Sequence, residues 1–100
     1  MRINSKKRYK TKYLKLRKDN DILIVCNHNL EIYFFDDIAS EIYLMFNRKP
    51  YTTREIADKL FKEYEDIEYD ILVADVEDTV DKLFEIDLLE ETLKWREEMI

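Results

Sequence analysis

The sequence predicts a small α+β domain, a three-stranded antiparallel sheet followed by three helices. Three observations carry this. The hydrophobic pattern is strand-like before Asp36 and takes a period of about 3.6 after it. The strand-like runs are joined by turns too short for anything but antiparallel neighbours. In the second half, the only proline, Pro50, and a capping-box spacing from Thr52 to Glu55 divide one helix from the next.

Tyr13 to Arg17 alternates, with Leu14 and Leu16 on one side and Lys15 and Arg17 on the other, and reads as a first strand. Lys18 to Asp21 is a turn. Ile22 to Cys26 is apolar throughout and rich in β-branched residues, as a central strand should be. Glycine is absent, so turn positions with positive φ are expected to fall to Asn, Asp or His. Asn27-His28-Asn29 is the conspicuous candidate. Leu30 to Phe35 is the third strand, and a meander places it at a sheet edge.

Asp36 or Asp37 caps the first helix, whose apolar residues are Ile38, Ile42, Met45 and Phe46. Asn47 to Tyr51 ends it. Thr52 or Thr53 opens the second helix, striped by Ile56, Leu60 and Phe61 and ending near Tyr64. The third runs from about Glu68 to Glu85, with Leu72, Val76, Val80 and Leu83 on one face, and Leu88-Leu89 closes it. Thr92 to Ile100, with Leu93, Trp95 and Met99, reads as one or two further helical turns. The arrangement is winged helix-turn-helix-like.

Length and composition bound the function. One hundred residues make one domain, and 46% hydrophobic with 13% aromatic residues suffice for one core. The lone cysteine, Cys26, rules out an intrachain disulfide and fits a reducing cytoplasm. No apolar run is long enough to span a bilayer, so no membrane association is expected.

The net charge of −6 is unevenly placed. Residues 1–20 carry nine Lys/Arg against Asp19 alone; residues 21–100 carry eight against twenty-two Asp/Glu. Residues 1–11 therefore read as a basic arm, 12–90 as the domain and 91–100 as an extension. The arm either stays solvated, folds back on the acidic body, or meets phosphate or an acidic partner.

Catalysis has little support. Cys26 and His28 lie on the same strand face, but two ligands leave a zinc site incomplete and His28 falls in a turn. Carboxylates such as Asp36/Asp37, Asp75/Asp78 and Asp66/Glu68/Asp70 could do acid–base work, yet with twenty-three in the chain adjacency is expected, and solvated helix faces are the default. Without glycine there is no Gly-rich phosphate loop. The expectation is a chain that is not an enzyme and holds neither cofactor nor metal.

A helix-turn-helix makes a DNA-binding regulator the rival reading. The third helix opposes it, carrying Asp75, Glu77, Asp78, Asp81 and Glu85 with Lys82 its only base. In a groove flanked by phosphates that charge repels, so no nucleic acid is expected as partner. A structural or dimerisation subunit is a third reading, since exposed apolar strands also make homodimers.

The positive case lies in the third strand. Leu30, Ile32 and Phe34 share one face; Glu31, Tyr33 and Phe35 share the other. One face covers the helices, and the other is more apolar than a solvated face needs to be. Such an edge invites an added peptide strand. A plain edge strand covered by either terminus fits the pattern equally well.

Asp36-Asp37-Ile38-Ala39-Ser40-Glu41-Ile42 resembles the first-helix signature of PqqD-like proteins, and Thr53-Arg54-Glu55-Ile56-Ala57-Asp58-Lys59-Leu60 resembles their second. Ala74-Asp75-Val76 followed by Val80, Leu83 and Leu88-Leu89 resembles their third. These proteins are precursor-peptide recognition elements for ribosomally made, modified peptides. The resemblance covers about residues 12–90, with Arg48 or Lys49 and Asp87 standing where the family often has Gly.

It implies a non-catalytic adaptor, a peptide chaperone of natural product biosynthesis. Such an adaptor grips the leader of a precursor peptide by β-strand addition and presents the core to a modifying enzyme, often a radical S-adenosylmethionine enzyme, a protease or a cyclase. On this reading Leu30, Glu31, Ile32, Tyr33, Phe34 and Phe35 form the docking edge. Leu72, Asp75, Val76, Thr79 and Lys82 on the third helix form the cleft wall.

Overall fold

The run Ile22-Leu23-Ile24-Val25-Cys26 has no polar side chain, and it forms the middle strand of its sheet. In the computed structural model, which describes residues 7–92, the elements follow in order. They are β1 (Arg8–Thr11), β2 (Lys15–Asp19), β3 (Ile22–Cys26), β4 (Ile32–Phe35), α1 (Asp37–Arg48), α2 (Thr53–Glu63), α3 (Tyr69–Glu85) and β5 (Leu89–Thr92). β2, β3 and β4 make the antiparallel sheet, in that order, and three helices follow it. β1 and β5 pair antiparallel as a separate ribbon. No helix of the described residues is long and apolar enough to cross a membrane.

The first strand begins at Lys15, not Tyr13, and absorbs Lys18 and Asp19, because Asn20 turns the chain at φ 57. Leu14 falls in the preceding bend and is exposed, whereas Leu16 packs on the core. The third strand starts at Ile32 because Leu30 adopts φ 69. That position was expected to fall to Asn, Asp or His, and Asn20, Asp37 and Asp87 are the other positive-φ residues. Leu30 is held there by its N–H, which donates to the Asn27 carbonyl at 3.0 Å, at a steric cost of about 1–2 kcal/mol.

The pairing of β1 with β5 was not expected from the sequence. Arg8 to Thr11 lies inside the stretch read as a basic arm, but Tyr9 is only 1% exposed and is part of the core. Its ring meets Phe46 and Phe84 edge to face, and its backbone bridges Tyr51. The neighbouring cations lie against the acidic body: Lys7 on Glu91, Arg8 on Glu55, Lys10 on Glu90 and Lys12 on Asp87. Residues 7–12 therefore fold back on the body. At the other end, Glu91 and Thr92 belong to β5. The further helical turns read for residues up to Ile100 lie outside the described residues, as do residues 1–6.

The helices follow their stripes except at Phe61, which was read into the stripe of α2 but, one step of about 100° round the helix from Leu60, is exposed and meets Tyr69 edge to face. α1 buries Ile42, Met45 and Phe46; α2 buries Ile56, Ala57 and Leu60; α3 buries Leu72, Val76, Val80 and Leu83. Each large aliphatic or aromatic side chain so buried contributes about 1.5–3 kcal/mol. Both halves of the capping box form at α2: the Glu55 N–H donates to Thr52 Oγ1 at 3.1 Å, and the Thr52 N–H to Glu55 Oε1 at 3.0 Å. Asp36 occupies the N-cap of α1 without a side-chain capping bond.

α3 ends in a Schellman motif. Leu88 N–H donates to the Leu83 carbonyl and Asp87 N–H to that of Phe84, with Asp87 at φ 62. Asp87 takes the left-handed position that Gly would take without steric cost, and its carboxylate pairs with Lys12 at 2.8 Å. Lys49 is extended, so no left-handed residue is needed there.

Candidate functional site

Asn27 is the residue from which the site is built. It is fully buried, and its side chain makes four hydrogen bonds. Its Nδ2 donates to Glu31 Oε1 and to the Ile86 carbonyl, both at 2.8 Å. Its Oδ1 accepts the N–H groups of Asn29 and Glu31, both at 2.9 Å. One amide thus fixes the β3–β4 turn and ties the start of β4 to the end of α3. The spacing of those two elements sets the width of the groove between them.

β4 is an edge strand, and its register defines what the edge offers. Asn27 N–H donates to the Glu31 carbonyl at 2.9 Å, so residues 27 and 31 form a bonded pair. Alternation along the ladder then makes Val25–Tyr33 and Leu23–Phe35 bonded pairs. Ile32 and Phe34 fall between them, with N–H and C=O aimed at the open edge. Their side chains stand on the outer face of the sheet, 59% and 67% exposed, next to Leu30 at 73%.

Tyr33 and Phe35 lie on the inner face. Phe35 stacks on Tyr43 with ring centroids 5.9 Å apart. The Tyr33 hydroxyl donates to Glu31 Oε1 at 3.2 Å, and desolvation, then the Glu31 charge, raises it above its ordinary pKa.

Beneath the edge is a groove of about 330 Å³ between β4 and α3, lined by Tyr33, Phe34, Phe35, Ala39, Thr79, Lys82, Leu83 and Ile86. That is within the range of small recognition pockets, roughly 300–1,000 Å³. Its lining is mainly apolar, with Lys82 the cation on it. A peptide strand paired with β4 would aim alternate side chains into it, about 7 Å apart, and lay the others beside Ile32 and Phe34.

The structure brings some of the sequence-derived residues together and separates others. Tyr33, Phe34 and Phe35 line the groove with Thr79 and Lys82, so the flank of α3 bearing these two faces the strand. Leu72 and Val76 do not form its wall: they are fully buried in the core, because the stripe that packs α3 on the body runs through them. Asp75 is exposed outside the groove lining, one turn before Thr79, whose Oγ1 donates to the Asp75 carbonyl at 2.9 Å. Leu30 and Glu31 precede the strand, in the turn held by Asn27.

Ala39, Leu83 and Ile86 were missed. Ile86 and Leu83 could have been suspected, because an isoleucine just past the end of an amphipathic helix needs cover. Ala39 gives no such signal.

Cys26 Sγ contacts the Asn27 carbonyl at 3.5 Å on the outer face of the sheet, and His28 is exposed in the turn. Among the described residues, no group of three or more His, Cys, Asp or Glu side chains converges as a metal site would require. Comparison with family models, with curated proteins and with solved structures gives no match for this chain.

Proposed function

We propose that this chain is a non-catalytic, winged-helix-like adaptor that takes an extended peptide onto β4, the leader of a ribosomally made precursor, and holds it for a modifying enzyme. The observation that carries this reading is a strand edge, unpaired among the described residues, directly above an apolar groove. The edge offers the backbone groups of Ile32 and Phe34. The groove offers Tyr33, Phe35, Leu83 and Ile86. Together they supply what strand addition needs: main-chain bonds for affinity and pockets for alternate side chains. The resemblance of α1 and α2 to PqqD-like helices supports the leader as occupant. The acidic outer surface of α3, with Asp75, Asp78 and Glu85 exposed, weighs against duplex DNA.

The register gives a clean test. Proline at Tyr33 removes an N–H that bonds β3, so Tyr33→Pro should destabilise the domain by about 1–3 kcal/mol. Proline at Ile32 removes an N–H that faces the open edge, so Ile32→Pro should fold close to normally and bind leader at least about tenfold more weakly. The ligand to titrate is the leader of a short precursor peptide, to be sought among the genes neighbouring the one for this chain. Leader binding by Ile32→Pro as tight as the parent's refutes docking at this edge.

A further inference from the structure

A second groove, of about 450 Å³, lies on the far side of the sheet from β4, where β2 meets α1 and α2. Its charge is the reverse of its surroundings. Lys18, Arg48, Lys59 and Lys62 line it, against Glu41 and Glu63. Between residues 21 and 92 the chain has only six Lys/Arg, and three of them are here.

These cations are not consumed by the body. Lys7, Arg8, Lys10, Lys12 and Arg17 each pair with a carboxylate, but among the described residues Lys18, Arg48 and Lys62 make no ion pair. Lys59 sits over the Tyr51 ring, 5.9 Å from its centroid. One of the two carboxylates is already engaged, since the Tyr64 hydroxyl donates to Glu41 Oε1 at 2.6 Å. The aliphatic part of the lining is Leu44, partly exposed, above the buried Met45 and Leu60.

We infer that this groove is a docking site for an acidic, amphipathic peptide segment of a partner protein. Carboxylates on such a segment meet the cationic rim, and its aliphatic side chains cover the partly exposed Leu44. Nucleic acid fits less well. A polyanion extending past the groove meets a body with a surplus of fourteen negative charges over residues 21–100, and phosphates gain nothing from an aliphatic floor. The site shares no lining residue with the β4 groove, so it stands or falls independently of the leader reading.

The test uses the full chain and a short fluorescein-labelled peptide of glutamates interspersed with leucines, read by fluorescence anisotropy. Binding is expected, and should weaken about tenfold between roughly 50 and 300 mM salt. The double variant Arg48→Glu/Lys62→Glu changes two exposed side chains and should weaken binding at least about tenfold. Lys18→Ala, on a different element, should weaken it several-fold and keeps the test decisive if the double variant folds poorly. Ile32→Pro should leave this binding unchanged. Absence of binding, binding indifferent to Arg48 and Lys62, or preference for a single-stranded oligonucleotide of equal charge would each overturn the proposal.

Discussion

Replacing Asn27 by alanine should open the domain at the junction of β4 and α3. The four side-chain bonds do not weigh equally. Asn29 and the Glu31 carboxylate are exposed and recover water when the amide is gone, so each of those bonds costs about 0.5–1.5 kcal/mol net. The Ile86 carbonyl and the Glu31 N–H are different. Both are turned toward the buried amide that satisfies them. Each stranded group costs about 1–3 kcal/mol.

The sum is roughly 3–9 kcal/mol, comparable to the 5–15 kcal/mol that holds a small domain folded. Urea denaturation followed by far-ultraviolet circular dichroism measures it. The midpoint should fall with little change in slope, since the surface exposed on unfolding is nearly the same. Peptide binding at the β4 groove should weaken beyond what the unfolded fraction explains, because the groove loses its fixed width. A loss below about 1 kcal/mol with full binding would refute the reasoning and show that the backbone alone sets the junction.

Two further substitutions test the ribbon of β1 and β5. Tyr9 buries a hydroxyl without a hydrogen-bond partner, and burial, then Glu91 and Asp81, pushes its pKa to about 12. In thermal melts Tyr9→Phe should therefore cost nothing or gain up to about 1 kcal/mol. Tyr9→Ala should lose about 3–5 kcal/mol.

The Glu55 carboxyl is pushed up by burial, but hydrogen bonds from Arg8 and from the Thr52 N–H outweigh this and hold it below the usual range. A depressed pKa gives stability that is present above the unfolded value of about 4.3 and is lost as pH falls through the folded value. The parent should thus lose more stability on acidification below about pH 4.3 than Glu55→Gln does, and parallel profiles would refute the assignment.

The helical half was legible because each helix repeats its apolar residues at helical spacing, and such a stripe fixes type and, Phe61 apart, face. β3 was legible for the opposite reason: five apolar residues between turns can only be central. β1 and β5 were not legible. Arg8-Tyr9-Lys10-Thr11 and Leu89-Glu90-Glu91-Thr92 each carry one large apolar residue in four, too few for a period, and what joins them is backbone pairing and the burial of Tyr9 and Leu89 across some eighty residues of chain.

The edge strand could be read from its pattern, but which flank of α3 meets it could not; Thr79 and Lys82 line the groove with Tyr33, Phe34 and Phe35. Leu72 and Val76 could not be sorted from them, because a helical wheel shows a stripe and its flank without showing which neighbour each meets. Asn27 drew notice as a turn residue, but its buried role depends on Ile86, fifty-nine residues away, and no local pattern encodes that contact.

The pairing of Arg8 with Thr92 has a topological consequence. The described chain is nearly a closed ring, with entry and exit on neighbouring strands. A host protein could carry residues 8–92 as an insertion in one of its own loops, with both junctions at a single point and no strain on the host backbone. The same geometry suits circular permutation. A short linker across β1 and β5, with new ends cut into the exposed Glu65-Asp66 turn between α2 and α3, keeps every strand pairing and severs no helix.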